Sequence, residues 1–142
     1  MSAAGVLPVP IVYALEPTLS AQEFRGVLVA STLGPRRPVD EPERLERMLR
    51  NAAVVVTARD AAKLIGVSRA ITDFAFCCYL SDIAVDVAYQ HQGIGKRLVA
   101  ETRAAASDSA SLFLFAAPGA EGYYSKIGMK PMPNGWVIRR SR

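Results

Sequence analysis

Gln90-His91-Gln92-Gly93-Ile94-Gly95 is the stretch on which the reading of this chain turns. Before it, Cys77-Cys78-Tyr79-Leu80-Ser81-Asp82-Ile83-Ala84-Val85-Asp86-Val87 reads as a strand; after it, Lys96-Arg97-Leu98-Val99-Ala100-Glu101-Thr102 opens a helical pattern. A strand, a glycine-punctuated turn and a helix together aim backbone N–H groups and a helix N-terminus at an anion. Gly93 and Gly95 lack a Cβ, so a phosphate can approach the main chain closely. The spacing is not that of a dinucleotide fingerprint, and the Gly-Lys-Ser/Thr of a P-loop does not follow.

The stretch matches Gln/Arg-x-x-Gly-x-Gly/Ala. About thirty residues on stands Ala120-Glu121-Gly122-Tyr123-Tyr124-Ser125-Lys126-Ile127-Gly128-Met129, which resembles Ala-x-x-Phe-Tyr-x-Lys-x-Gly-Phe in order and spacing. On these two blocks the chain resembles the GNAT superfamily of acyl-CoA-dependent N-acetyltransferases. The likeness is strong from about Leu80 to Met129 and architectural before that.

Composition bounds the rest. The chain has 142 residues, 51% hydrophobic and 21% charged, which suits one folded domain over 1–142. No apolar run approaches the roughly 20 residues needed to cross a bilayer, so no membrane partner is expected. Met1-Ser2-Ala3-Ala4-Gly5-Val6-Leu7-Pro8 has neither a basic n-region nor a full apolar h-region, so a cytoplasmic protein is expected. Cys77 and Cys78 are adjacent on a strand and point to opposite faces, which makes a mutual disulfide strained and reduced thiols the expectation. With one histidine and two cysteines, a zinc site has too few soft ligands, and no metal is expected. The net charge of +4 raises nucleic acid as a partner, but the basic residues are scattered. Arg44, Arg47 and Arg50 fit the solvated face of an amphipathic helix around Leu45, Met48 and Leu49, and nucleic acid is not the expected partner. A basic surface also suits a ligand as anionic as coenzyme A.

Along the chain, Val9 to Leu15 reads as a strand. Ser20 and Glu23 form a capping-box pattern that opens a helix with Phe24, Val27, Leu28 and Ser31 on one side. A second helix starts at Asp40-Glu41-Pro42-Glu43 and ends at Asn51. Strands follow at Ala53–Thr57, Lys63–Ile71 and Phe74–Val87, with a turn at Arg59-Asp60-Ala61. A helix over Gly93–Ala106, an apolar strand over Ser111–Ala117, a short helix over Ala120–Ile127 and a strand at Trp136-Val137-Ile138-Arg139 complete the order. The strand–helix–strand unit implies a right-handed crossover and a parallel pair. The expected class is α/β (α+β): the GNAT fold, a mixed, mostly antiparallel sheet splayed open and flanked by four helices. The splay is expected between Phe74–Val87 and Ser111–Ala117, with a β-bulge near Val87 to start it.

The resemblance implies a chemistry as well as a fold: transfer of an acetyl group from acetyl-CoA, as cosubstrate, to a primary amine by direct attack. Main-chain amides around Gln90, His91, Gln92, Gly93, Gly95 and Lys96 would cradle the pyrophosphate, with the helix dipole behind them. The pantetheine arm would run beside the backbone of Ile83, Ala84 and Val85, whose side chains read as core. Tyr124 corresponds to the tyrosine that serves as general acid to the departing thiolate, against a plain packing role; Tyr123 reads as core. Two departures limit the mechanism. Ala117 stands where many relatives carry an asparagine, and the strand before the turn offers Tyr79, Ser81 and Asp82 but no glutamate as base. Alternation would put Tyr79, Ser81, Ile83 and Val85 on one face and Asp82 on the other. With the coenzyme on the first face, the base would be water relayed through Ser81 or Tyr79. The acceptor is a small-molecule or protein amine that the sequence does not identify, and a homodimer is left open. A non-catalytic acyl-CoA-binding sensor or assembly module is the alternative.

Overall fold

The computed structural model describes residues 10–142, so Val9 lies outside it and the first strand, β1, is Ile11–Leu15. The other elements are α1 (Ala21–Ala30), α2 (Pro42–Arg50), β2 (Val54–Asp60), β3 (Lys63–Thr72), β4 (Cys77–Val85), α3 (Ile94–Ala106), β5 (Ser111–Phe113) and α4 (Glu121–Lys126). Short 3-10 turns stand at Gly34–Arg36 and Val87–Tyr89. The sheet runs β1-β2-β3-β4-β5, antiparallel at every step except the last, where β4 and β5 are parallel. This is the mixed, open sheet with four helices that the sequence predicts.

Two apolar layers hold the helices on the two faces of the sheet. On one face, Ile94, Leu98 and Ala106 of α3 pack with Val54, Val56, Ala58, Ile65, Cys78 and Leu80. On the other, Phe24, Val27 and Leu28 of α1 and Leu45 and Leu49 of α2 cover Val55, Val67 and Ala84. Both helical stripes follow the 3.6-residue period of the sequence. At the start of α1 the Ser20 hydroxyl accepts from the Glu23 amide at 3.1 Å. The return half of the capping box is not made, because Glu23 instead accepts from the Arg59 guanidinium at 2.7 Å. Thr102, buried on α3, shares a 2.6 Å hydrogen bond with the Ser68 hydroxyl and donates to the Leu98 carbonyl, which makes it part of the packed face.

Four boundaries differ from expectation, each for a physical reason. The strand over 53–57 extends to Asp60, because Arg59 is held there by Glu16 and Glu23, and the hairpin turns at Ala61-Ala62. β4 begins at Cys77, not Phe74: the Asp73 carboxylate accepts from the amides of Ala75, Phe76 and Cys77, closing a loop in which Phe74 has φ of 63°. β5 stops pairing at Phe113, four residues short of Ala117. Residues 136–139 form no strand, and Trp136 and Ile138 are 94% and 99% exposed. Their apolar, β-branched run reads as a strand, but a strand also needs a partner edge, and none is supplied to them among the described residues.

The largest correction concerns the bulge. It lies at Ser81, not near Val87: Arg69 pairs with Asp82 while Ala70 pairs with Leu80, leaving Ser81 as the extra residue on β4. An extra residue inverts the alternation beyond it. Cys78 and Leu80 face α3, and so do Ile83 and Val85, whereas Tyr79, Asp82 and Ala84 face the α1–α2 side. Tyr79 and Asp82 therefore share a face, contrary to strict alternation.

Candidate active site

Below the bulge the sheet opens. β4 and β5 pair only through Cys77–Ser111, Cys78–Leu112 and Tyr79–Phe113, so residues 80–85 have no strand partner on that edge among the described residues. Aromatic rings fill the crotch of the opening. Tyr79 stacks on Phe113 with centroids 5.2 Å apart, and Phe115 meets both rings edge-on. These three rings form the floor of a cavity of about 1150 Å³, with Arg37 and Met48 on one wall and Tyr124 and the 129–140 segment on another. That volume exceeds the roughly 300–1,000 Å³ usual for small-molecule sites.

Asp82 sits behind the cavity wall, 1% exposed, and accepts from the Nε of both Arg37 and Arg69. The arginines are not spent on the carboxylate alone. Arg37 also donates to the Ser81 carbonyl at 2.8 Å, and Arg69 to the Ser81 hydroxyl at 2.9 Å. The ion cluster thus clamps the bulge from both sides, tying β3 and the loop after α1 to the point where the sheet splays. Each oxygen of the Asp82 carboxylate accepts from a guanidinium, so what the geometry gives Asp82 is a structural task, holding two strands and a loop together. This cluster was missed in the sequence, yet a signal was there. Arg69 interrupts the apolar run Leu64–Ile71, and a buried cation on a strand needs an anion within reach.

Tyr124 lies half-buried on the cavity wall. Its helix ends in a Schellman arrangement: Gly128, at φ of 92°, follows the last turn, and the Met129 amide donates to the Tyr124 carbonyl at 3.0 Å. This is the C′ role the sequence assigns to Gly128. Burial pushes the Tyr124 phenol above its usual value near 10, and the adjacent Tyr123 adds to the rise. The phenol therefore keeps its proton across the neutral range. Tyr123 meets Tyr124 edge-on at 5.2 Å and points toward α3. A Cβ built on Gly95 would stand 2.6 Å from the hydroxyl of Tyr123, whose side chain is exposed and not part of the core, so the bare glycine leaves room for that hydroxyl over the start of α3.

The turn before α3 brings together the other sequence-predicted residues. Gly93 is the N-cap at φ of 82°, and a Cβ on it would meet nothing within 4 Å. His91 also has positive φ, 66°, in a region where histidine is among the better tolerated side chains. The first bond of α3 runs from the Arg97 amide to the Gly93 carbonyl, so the amides of Ile94, Gly95 and Lys96 precede the ladder and face outward without an acceptor among the described residues. Gln90 braces the turn from the strand side, where its Nε2 donates to the Val85 carbonyl at 3.0 Å and folds the turn back onto β4. Ile83 and Val85 are half-buried against the α3 layer, and Ala84 is buried on the opposite one. The turn and β4 are contiguous, while Tyr124 stands across the opening on α4. Among the described residues there is no cluster of three or more His, Cys, Asp or Glu side chains that could hold a metal, and no helix long and apolar enough to cross a membrane.

Comparison with known proteins agrees with this architecture. Residues 21–135 match the acetyltransferase (GNAT) domain. This chain belongs to the GNAT acetyltransferase family, and the fold described above is that family's acetyltransferase fold. A histone acetyltransferase of Glycine max is 31% identical over 114 residues, covering 71% of this chain and 48% of that protein. The chain spans about half the length of the curated relatives it matches first. Among solved structures, a GNAT-family acetyltransferase of Streptococcus pneumoniae superimposes with a TM-score of 0.78 at 21% identity, over 94% of this chain and all of that one. An aminoglycoside N-acetyltransferase solved with coenzyme A superimposes with a TM-score of 0.73 at 14% identity, over 96% of this chain and 99% of that one.

Proposed function

We propose that this chain transfers an acetyl group from acetyl-CoA to a primary amine by direct attack in the opening between β4 and β5. The observation that carries the proposal is the pairing of an outward-facing, unbonded amide turn at Gly93–Lys96 with a splayed, unpaired edge of β4. The turn suits the coenzyme. Gly93 leaves open space on its Cβ side, and the first-turn amides of α3 present donors and a positive helix end to a diphosphate. His91, Gln92, Gly93, Gly95 and Lys96 would hold the diphosphate, with Gln90 keeping the turn closed on β4. The backbone of Ile83, Ala84 and Val85 lies along the unpaired edge, available to the amide-bearing arm.

Acetyl-CoA supplies the activated acetyl thioester. Everything else asked of the protein is positioning and a proton. Holding two reactants together can supply ~7–11 kcal/mol of a barrier of this kind. Tyr124 Oη, protonated at neutral pH and set on the cavity wall, gives a proton to the departing sulfur. The base is not Asp82, whose lone pairs are committed to Arg37 and Arg69. Water reaching the cavity past Tyr79 and Ser81, both of which line it, takes the amine proton.

The relatives' names point to different acceptors, histones in one and aminoglycosides in another. Thiol release from acetyl-CoA, measured with purified protein across a panel of amines, tests the reading. Amine-dependent release with acetylated product is expected. Tight acetyl-CoA binding with no release for any amine would instead favour a sensor or assembly role.

A further inference from the structure

The walls of the cavity are lopsided in charge. Seven cationic side chains line it, and Glu121 is the single carboxylate that does so among the described residues. Three of the seven are already answered: Arg37 and Arg69 by the one buried Asp82, and Arg44 by Glu41. Arg36, Lys130, Arg139 and Arg140 pair with no carboxylate among the described residues and are all exposed. They come from two separate stretches of chain, Arg36 from the 3-10 turn after α1 and the other three from the segment after α4.

This charge is not placed to serve the coenzyme diphosphate. No residue from 86 to 106, the segment that holds the proposed diphosphate turn, lines the cavity. The cations instead surround the space in front of Tyr79, Phe113 and Tyr124. A cleft of one sign raises the local concentration of ligands of the other and repels those of its own. An amine acceptor is itself a cation before it reacts, so a cleft like this one penalises polyamines and lysine-rich tails. It favours an amine whose charge is outweighed by carboxylates or phosphates on the same molecule.

We propose that the acceptor is an anionic amine, a molecule whose reacting amino group has carboxylate or phosphate groups close by. The inference rests on the acetyl-transfer reading above and names its acceptor class. In the reaction, the amine nitrogen forms a bond to the acetyl carbon while the carbon–sulfur bond of acetyl-CoA breaks. One proton of the starting ammonium goes to solvent, and a second ends on the thiol sulfur. The guanidiniums at the rim fix the acceptor's acidic groups, bidentately where geometry allows, and the aromatic floor seats its carbon skeleton.

The test compares matched acceptors at saturating acetyl-CoA: glutamate against glutamine, glutamine against glutaminamide, and a short peptide beginning with glutamate against its glutamine counterpart, with spermidine and kanamycin as cations. In at least one matched series kcat/KM should rise by about ten-fold for each added carboxylate, and the advantage should shrink with salt. Whether the free amino acid or the peptide series shows it tells a metabolite from a protein N-terminus. Arg36→Glu with Arg139→Glu should abolish the preference, while acetyl-CoA affinity measured by calorimetry stays at the wild-type value. Equal or faster turnover of spermidine, kanamycin or the neutral members would overturn the acceptor class, as would acetyl-CoA binding with no acceptor used. Failure to bind acetyl-CoA is a different result, removing the transferase reading and this inference with it.

Discussion

Tyr124 and Tyr123 are neighbours with different roles. Tyr124 faces the cavity, whereas the Tyr123 hydroxyl closes on Gly95. In the proposed reaction Tyr124 gives up its proton only while the thiolate is leaving, so Tyr124→Phe should lower kcat by ~10²–10⁴-fold with coenzyme A affinity nearly unchanged. Steady-state kinetics showing wild-type turnover in that variant would reduce Tyr124 to packing. The two glycines of the turn also separate at this scale. Gly93 needs its positive φ, and Gly93→Ala should cost about 1–3 kcal/mol of strain and weaken coenzyme A binding, because the first-turn amides must rotate. Gly95→Ala acts through Tyr123 instead. Its penalty in the thermal midpoint should be relieved in a Tyr123→Phe background, which removes the hydroxyl the new Cβ would strike. Strictly additive penalties would show that this contact is not the cause.

Among the elements, β4 does most to shape the site. Its bulge at Ser81 is held by Asp82, Arg37 and Arg69 at the level where β5 pairing stops. Asp82→Asn leaves two guanidiniums without their anion and should destabilise the fold by about 3–5 kcal/mol in urea titrations. Arg37→Met should cost less, since Arg37 retains 22% side-chain exposure and its loss leaves Arg69 on Asp82. An Asp82→Asn midpoint equal to wild type would mean the sheet opens without the clamp. A second network ties β1, β2 and α1 together: Arg59 donates to Glu16 at 2.8 Å and to Glu23. The hydrogen bond from Arg59 lowers the Glu16 carboxyl below its usual value near 4.5. A depressed folded pKa means this contribution is complete above the unfolded value and is lost as pH falls through the folded one. Thermal melts should therefore decline below about pH 4.5 more steeply for wild type than for Glu16→Gln, and parallel curves would remove Glu16 from the acid transition.

How far the sequence reaches is clearest at these same elements. The stripes Phe24-Val27-Leu28 and Ile94-Leu98-Thr102 were readable because burial imposes a period, and the Gly93 turn because positive φ favours glycine. The bulge was not readable in its true place. Nothing local at Ser81 marks it, because it is set by Asp82 reaching across to Arg37 and Arg69, contacts 45 and 13 residues apart in sequence. A face assignment built on alternation alone therefore keeps Ser81 with Tyr79 correctly and fails from Asp82 onward. The missing strand at 136–139 has the same origin, since pairing is decided by a neighbour and not by the segment itself.

For the whole molecule, the proposed function assigns the two substrates to the two faces of the sheet. One face carries α3, whose N-terminal turn offers amides to an anion; the other, with α1, α2 and the basic walls, encloses the cavity where an acceptor would stand. The opening between β4 and β5 joins them, and the proposed acetyl transfer there requires a coenzyme to occupy it. Calorimetric titration of the purified chain with acetyl-CoA measures that occupancy most directly. A 1:1 complex is predicted, with a Kd well below about 1 mM, weakened at least ten-fold in Gly93→Ala. A folded wild-type protein giving no binding signal at millimolar acetyl-CoA would contradict it.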